Sequence, residues 1–181
     1  MATLILRPNS DNVSGLFKSI GSNEYALIDE SVKDEADFVF SYLATNGNVE
    51  QKSIYGFPNH TTESGTITSV TVRGYYSGTY INGLRLFVKI GATEYSSDQL
   101  NPGGSVELFS KIFILNPATS AAWVWSEIDD ILAGHGLGAA YGDDGKGSPI
   151  SSNVVSYQYW LEVAHEAAEL IIGFVPRVMI F

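Results

Sequence analysis

His165-Glu166-Ala167-Ala168-Glu169 has the outline of a zinc-protease helix in which the second histidine is replaced by glutamate. A zincin site needs two imidazoles one helical turn apart and a third ligand, because catalytic zinc is held by three protein groups with a fourth position left for water. The chain has only three histidines, widely spaced, so this segment is expected to be a solvated linker. Asp29, Glu30, Asp34, Glu35 and Asp37 form the densest acidic cluster. Converging carboxylates can hold calcium through oxygen ligands, but no spaced loop with its turn glycine is present. The expectation is a charged solvated loop and no cofactor, with calcium as the alternative. Asp143-Asp144-Gly145 is a weaker version of the same pattern.

Other chemistries fail on spacing. Gly134, Gly136 and Gly138 make a G-x-G-x-G run, but it follows an expected helix and does not join a strand to a helix, so it lacks the geometry of a phosphate cradle. There is no G-x-S-x-G elbow. Zero cysteines exclude a thiol nucleophile, a thiolate metal site and a disulfide framework. A carboxylate pair for glycoside hydrolysis is defined by its separation in space, and no pair stands out. The chain is therefore read as no enzyme.

Aromatic residues are the remaining lead. Tyr75, Phe87 and Trp160 lie on strand faces opposite the aliphatic ones, where a solvated sheet would carry polar groups. Such rings are core or loop-covered residues, subunit contacts, or platforms that stack on sugars. A second lead is the closing stretch, in which Leu170, Ile171, Ile172, Phe174, Val175, Val178, Ile180 and Phe181 are interrupted by few polar groups. Left in water it would be an aggregation hazard, so it is expected to serve as the last strand of its own sheet or as an arm lent to another subunit.

Composition narrows the partners. At 181 residues the chain fits one domain with a real core. Ten basic residues against twenty acidic ones leave a net charge of −10, and the basic residues are scattered, which argues against nucleic acid and against an anionic membrane surface. The opening MATLILRPNS has no basic segment before a long apolar run, so no signal peptide is expected. The reading is cytoplasmic synthesis without secretory export.

The elements that must position these residues are mostly strands. Period-two alternation or short β-branched runs mark 3–7, 38–43, 53–57, 66–76, 84–90, 106–115 and 155–163. In 66–76, Val70, Val72, Gly74 and Tyr76 share one face; in 155–163, Val155, Tyr157, Tyr159, Leu161 and Val163 share one. The exception is residues 116–134, NPATSAAWVWSEIDDILAG. Ser126 is a good N-cap with Glu127, Asp129 and Asp130 behind it, Ile128, Ile131 and Leu132 give one apolar stripe, and Gly134 supplies a left-handed stop. That pattern predicts a short helix at about 126–133, flanked by Trp123 and Trp125 and plugging one end of a sandwich. Residues 134–152, with six glycines, are expected to form a long loop. The fold class is all-β, a jelly-roll-like β-sandwich of about 8–10 strands, with a domain at 1–163 and an apolar extension at 164–181.

LILRPNSD (4–11), YALIDE (25–30), ITSVTV (67–72), the 116–134 segment and VVSYQYWLEV (154–163) together resemble a family of uncharacterised β-sandwich proteins from tailed bacteriophages, prophages and environmental virus sequences. The resemblance covers about residues 3–163 and implies a virion-associated structural module. The glycine-rich loop and the tail from about Ala164 depart from it. The expected function is a non-enzymatic structural protein that self-assembles, as capsid decoration, tail or fibre component or filament subunit, with itself or other virion proteins as partners. The alternative is a carbohydrate-binding module in a receptor-binding position.

Overall fold

The computed structural model describes residues 1–13, 23–32, 37–43, 51–79, 84–98, 100–137 and 152–167. Ten strands occur there: β1 (Ala2–Leu6), β2 (Ser10–Val13), β3 (Val39–Leu43), β4 (Gln51–Gly56), β5 (Thr66–Thr79), β6 (Leu84–Ile90), β7 (Thr93–Ser96), β8 (Glu107–Phe113), β9 (Leu132–Leu137) and β10 (Ser152–Glu166). One sheet has the order β1-β10-β5-β8 with β3 also on β10, and the other has the order β2-β4-β9-β6-β7. Every ladder is antiparallel. The pairs β3–β10, β4–β9, β5–β8 and β6–β7 are successive rungs of one long ribbon whose steps alternate between the sheets. That winding is a jelly roll, as the strand pattern led one to expect.

The inward faces carry the alternation read from the sequence. Val70, Val72 and Tyr76 of β5 and Leu161 and Val163 of β10 meet Leu84, Leu86 and Val88 of β6 and Ala133 of β9 in one buried cluster. Tyr55 and Tyr159 meet across it, ring centroids 5.4 Å apart, and the Tyr159 hydroxyl donates to the Gly134 carbonyl at 3.0 Å. Burial holds the phenols of Tyr55, Tyr76 and Tyr159 well above the ordinary range, so all three are neutral hydrogen-bonding groups. Gly74 belongs to the same inward set, and a Cβ there would lie 2.6 Å from the Tyr76 ring.

β1 and β3 lie end to end along the same side of β10, Ala2–Leu6 against residues 161–165 and Val39–Leu43 against residues 152–156. The gap between them is bridged by the backbone after a 3-10 turn at Tyr25–Leu27: Tyr159 N–H donates to the Ile28 carbonyl at 2.9 Å, and Gln158 and Arg7 both donate to the Glu30 carbonyl. Asp29 and Glu30 are thus half-buried beside Arg7, not part of a freely solvated loop.

Three expectations need correction. The helix α1 spans Trp125–Asp129, shorter than 126–133, and its N-cap is Val124, whose N–H is taken by the Glu127 carboxylate at 3.0 Å. Chain geometry changes sooner than the apolar spacing suggests: Ile131 still enters the core, but as the residue before β9. Gly134 is consequently no helix stop. It lies inside β9, where a Cβ would meet the Ser53 carbonyl oxygen at 2.1 Å, so it permits β4 and β9 to approach. The first part of the expected 134–152 loop is therefore strand, and residues 138–151 lie outside the described residues. Finally, the ladder with β5 shifts register between Ser156 and Gln158, a bulge that turns Val154 and Ser156 inward and leaves Val155 and Tyr157 only half-buried.

Candidate functional site: the outer face and open edge of the first sheet

Period two places alternate residues of β1, β10, β5 and β8 on the face turned away from the core. Cross-strand registers arrange them in rows: Ile5, Glu162, Thr71 and Ile112; then Trp160, Arg73 and Ser110; then Gln158, Tyr75 and Leu108. At the centre, Glu162 forms an ion pair with Arg73, whose Nε lies 2.8 Å from Oε2, and accepts a hydrogen bond from Trp160 Nε1, 3.0 Å from Oε1. The Tyr75 and Trp160 rings sit 5.8 Å apart at 37°. This polar and aromatic centre is flanked by aliphatic side chains open to solvent: Ile5 is 49% exposed on one edge strand, and Leu108 and Ile112 are 43% and 55% exposed on the other. Ile114 and Leu115, just after β8, are 70% and 48% exposed.

The structure thus brings Tyr75 and Trp160 together and separates them from Phe87. Trp160 is only 8% exposed, and its indole N–H is already satisfied. Phe87 is on β6 of the other sheet, on its outward register, and is 1% exposed. The arm residues Leu170, Ile171, Ile172, Phe174, Val175, Val178, Ile180 and Phe181 lie outside the described residues, and β10 runs on past Val163 to Glu166.

His165 was expected in a solvated linker and is instead 7% exposed in β10. It belongs to a cluster that closes one end of the sandwich. Trp125 of α1 is flanked by the His60 ring at 4.9 Å and the His165 ring edge-on at 5.2 Å, and its Nε1 donates to the Gly65 carbonyl at 3.0 Å. Asp129 accepts from His60 N–H at 2.9 Å and contacts His60 Nδ1 at 2.7 Å, and this hydrogen bond holds the Asp129 carboxyl below its ordinary range. His165 Nδ1 lies 3.2 Å from the Ser64 carbonyl. Trp123, 3% exposed, ties the same end to β8 by donating to the Phe113 carbonyl at 3.1 Å. An Asp–His pair is the beginning of a base for nucleophilic catalysis, but among the described residues no hydroxyl is hydrogen-bonded to the imidazole. The work this cluster does is to lock the plug in place.

One buried carboxyl was not singled out from sequence. Glu24, 5% exposed, accepts from Ser53 Oγ at 2.6 Å, while Asp11 accepts the Glu24 and Tyr25 N–H groups at 2.9 Å. Burial raises Glu24, and the nearby Asp11 charge adds to the effect, against the opposing Ser53 hydrogen bond. Of the acidic cluster, Asp34 and Glu35 lie outside the described residues, as do Asp143 and Asp144; among the described residues, no group of three or more His, Cys, Asp or Glu side chains converges on a metal position. Among the described residues, no helix is long and apolar enough to cross a membrane. A scan against protein-family models finds no match for the chain, and a search of the curated proteins finds none either.

Proposed function

We propose that this chain is a non-enzymatic structural protein that self-associates, as a virion component in a capsid decoration, tail or fibre, or as a filament subunit. The observation that carries the reading is the outer face of the first sheet, where Ile5, Leu108 and Ile112 are exposed around an ordered polar centre, with Ile114 and Leu115 exposed just beyond β8. Large aliphatic side chains grouped on one face mark an association surface more often than scattered ones do. The jelly-roll fold is compatible with many functions and assigns none by itself. Placement in a virion rests on the resemblance of the five segments quoted above to phage β-sandwich proteins. Light scattering across a concentration series tests the reading: the mass should rise from monomer to a defined oligomer or a growing polymer, and a monomer up to the solubility limit would refute it.

The second reading, a carbohydrate-binding module, draws on the half-buried Tyr75 ring beside the Arg73–Glu162 pair, which together offer a stacking surface and hydrogen-bonding groups. It expects glycan-array binding, with or without calcium, that is lost in Tyr75→Ala. Silence under both conditions removes it.

A further inference from the structure

β8 pairs with β5 on one side and with no other strand among the described residues, so one row of its backbone N–H and C=O groups is open for pairing. Natural edges are usually short or guarded by charge. This one is seven residues long, and its outward side chains Leu108 and Ile112 are aliphatic and exposed.

We propose that β8 pairs antiparallel with β8 of a second copy across a two-fold axis through Ser110, joining the two sheets edge to edge. The inference rests on the self-association reading and names its surface. Two-fold pairing is self-complementary, so each match occurs twice. With Ser110 opposite itself, all seven residues pair, and exposed Leu108 lies opposite Ile112 of the second copy on the outer face. On the inner face, Glu107 lies opposite Phe113 of the second copy and diagonal to its Lys111.

That diagonal supplies charge complementarity. Lys111 Nζ leans over the Phe113 ring, 5.5 Å from its centroid, which is the end where Glu107 of the second copy arrives. A half-buried lysine on an edge ordinarily repels strand addition. Here an incoming β8 brings its own acid, Glu107, to that lysine, so self-pairing is favoured over pairing with an uncharged strand. Moving the axis to Lys111 sets two lysines opposite each other, and moving it to Phe109 sets Glu107 directly opposite Lys111 but pairs Leu108 with Ser110 and leaves both Ile112 and Phe113 outside a five-residue ladder. β1, the other edge of this sheet, is five residues long and carries no charged residue that could select a partner. A seven-residue ladder covers less than the roughly 1,200 Å² at the lower end of stable interfaces, so the dimer should depend on concentration.

The absence of native cysteine makes the test direct. Paired Cα atoms in an antiparallel ladder are about 4.5–5.5 Å apart, within disulfide range. In the full-length protein, Ser110→Cys should form a covalent dimer under oxidised glutathione, whereas Ser126→Cys on α1 should not. Mixing Leu108→Cys with Ile112→Cys should give the mixed cross-link in excess over either homodimer. Leu108→Lys/Ile112→Lys should raise the dissociation constant at least tenfold with the circular dichroism spectrum unchanged. Self-association that persists in this folded double variant would overturn the β8 proposal while leaving self-association standing. A wild-type monomer at all concentrations, with no Ser110→Cys cross-link, would overturn both. Deleting residues 168–181 should leave the dimer intact; a folded deletion variant that is monomeric would show that the tail, not β8, holds the copies together.

Discussion

Replacing Gly134 with alanine tests how closely β4 and β9 approach. The added Cβ would lie 2.1 Å from the Ser53 carbonyl oxygen, 2.9 Å from Phe87 Cζ and 3.1 Å from Ile54 Cα. Phe87 can swing its ring, but the Ser53 oxygen and Ile54 Cα are backbone, so β4 must be pushed away by about 1 Å to reach ordinary contact. Overpacking of this kind costs about 1–3 kcal/mol or more. The backbone of Gly134 is outside the left-handed region, so alanine also removes unfolded-chain freedom and returns about 0.4–1 kcal/mol. The net expectation is a loss of about 0.5–2.5 kcal/mol. At about 2–4 °C per kcal/mol for a chain of this length, the midpoint should fall by roughly 1–10 °C in a thermal melt. Gly104→Ala, where nothing lies within 4 Å of the new Cβ, is the control and should be neutral or slightly stabilising. Gly134→Asn sharpens the test. A helix stop tolerates asparagine, whereas a close strand crossing makes it worse than alanine. Gly134→Ala at or above wild-type stability would refute the crossing.

Three further outcomes follow from local geometry. Ser120 has φ of 58°, a left-handed conformation that costs a non-glycine residue about 1 kcal/mol, so Ser120→Gly should raise stability to chemical denaturation by up to about that amount. Because burial raises the Glu24 carboxyl in the fold, its contribution is fully present below the unfolded glutamate range and is lost as pH rises through the folded value. Glu24→Gln should therefore melt higher than wild type at neutral pH, the advantage shrinking as pH falls through the raised folded value and vanishing below the ordinary glutamate range; an advantage independent of pH would contradict this. Asp129 has the opposite sign: its carboxyl is held low by His60, so its contribution is present above the unfolded aspartate range and is lost as pH falls through the depressed value. Asp129→Asn should flatten the acid limb of the melting-temperature profile, and a profile parallel to wild type would show that the His60 contact does not stabilise the plug.

Much of the frame was legible because period two is a local property. The inward sets of β5 and β6 could be read from their alternation, and the presence of a short helix next to Trp123 and Trp125 from its acidic first turn and apolar spacing. What failed depended on partners distant in the chain. Ile128 and Ile131 fit a helical stripe equally well whether the helix continues or ends, and pairing with β6, where Leu132 faces Lys89, decided that β9 begins at Leu132. The bulge near Tyr157 is set by the partner ladder, so alternation through 155–163 carried no sign of it. His165 looked solvated because nothing nearby in sequence covers it; its neighbours are Trp125 and the Ser64 carbonyl. The same holds for the site: Trp160 stood out as an aromatic on an unexpected face, but its role beside Glu162 required Arg73, which arrives from another strand. Glu24 gave no signal, since a single glutamate before a tyrosine is an ordinary surface pattern.

The ribbon winding also orders events during synthesis. Only β6 and β7 are joined by a two-residue turn, and each later rung, β5–β8, β4–β9 and β3–β10, closes over a longer stretch of chain. Such non-local closure is slow. The strand against which β1, β3 and β5 all pair is β10, the last of the described strands to leave the ribosome. Until residues 152–166 have emerged, three strands of one sheet wait without their common neighbour, so a chain stalled before that point should be far stickier than the finished protein and depend on chaperones for its survival.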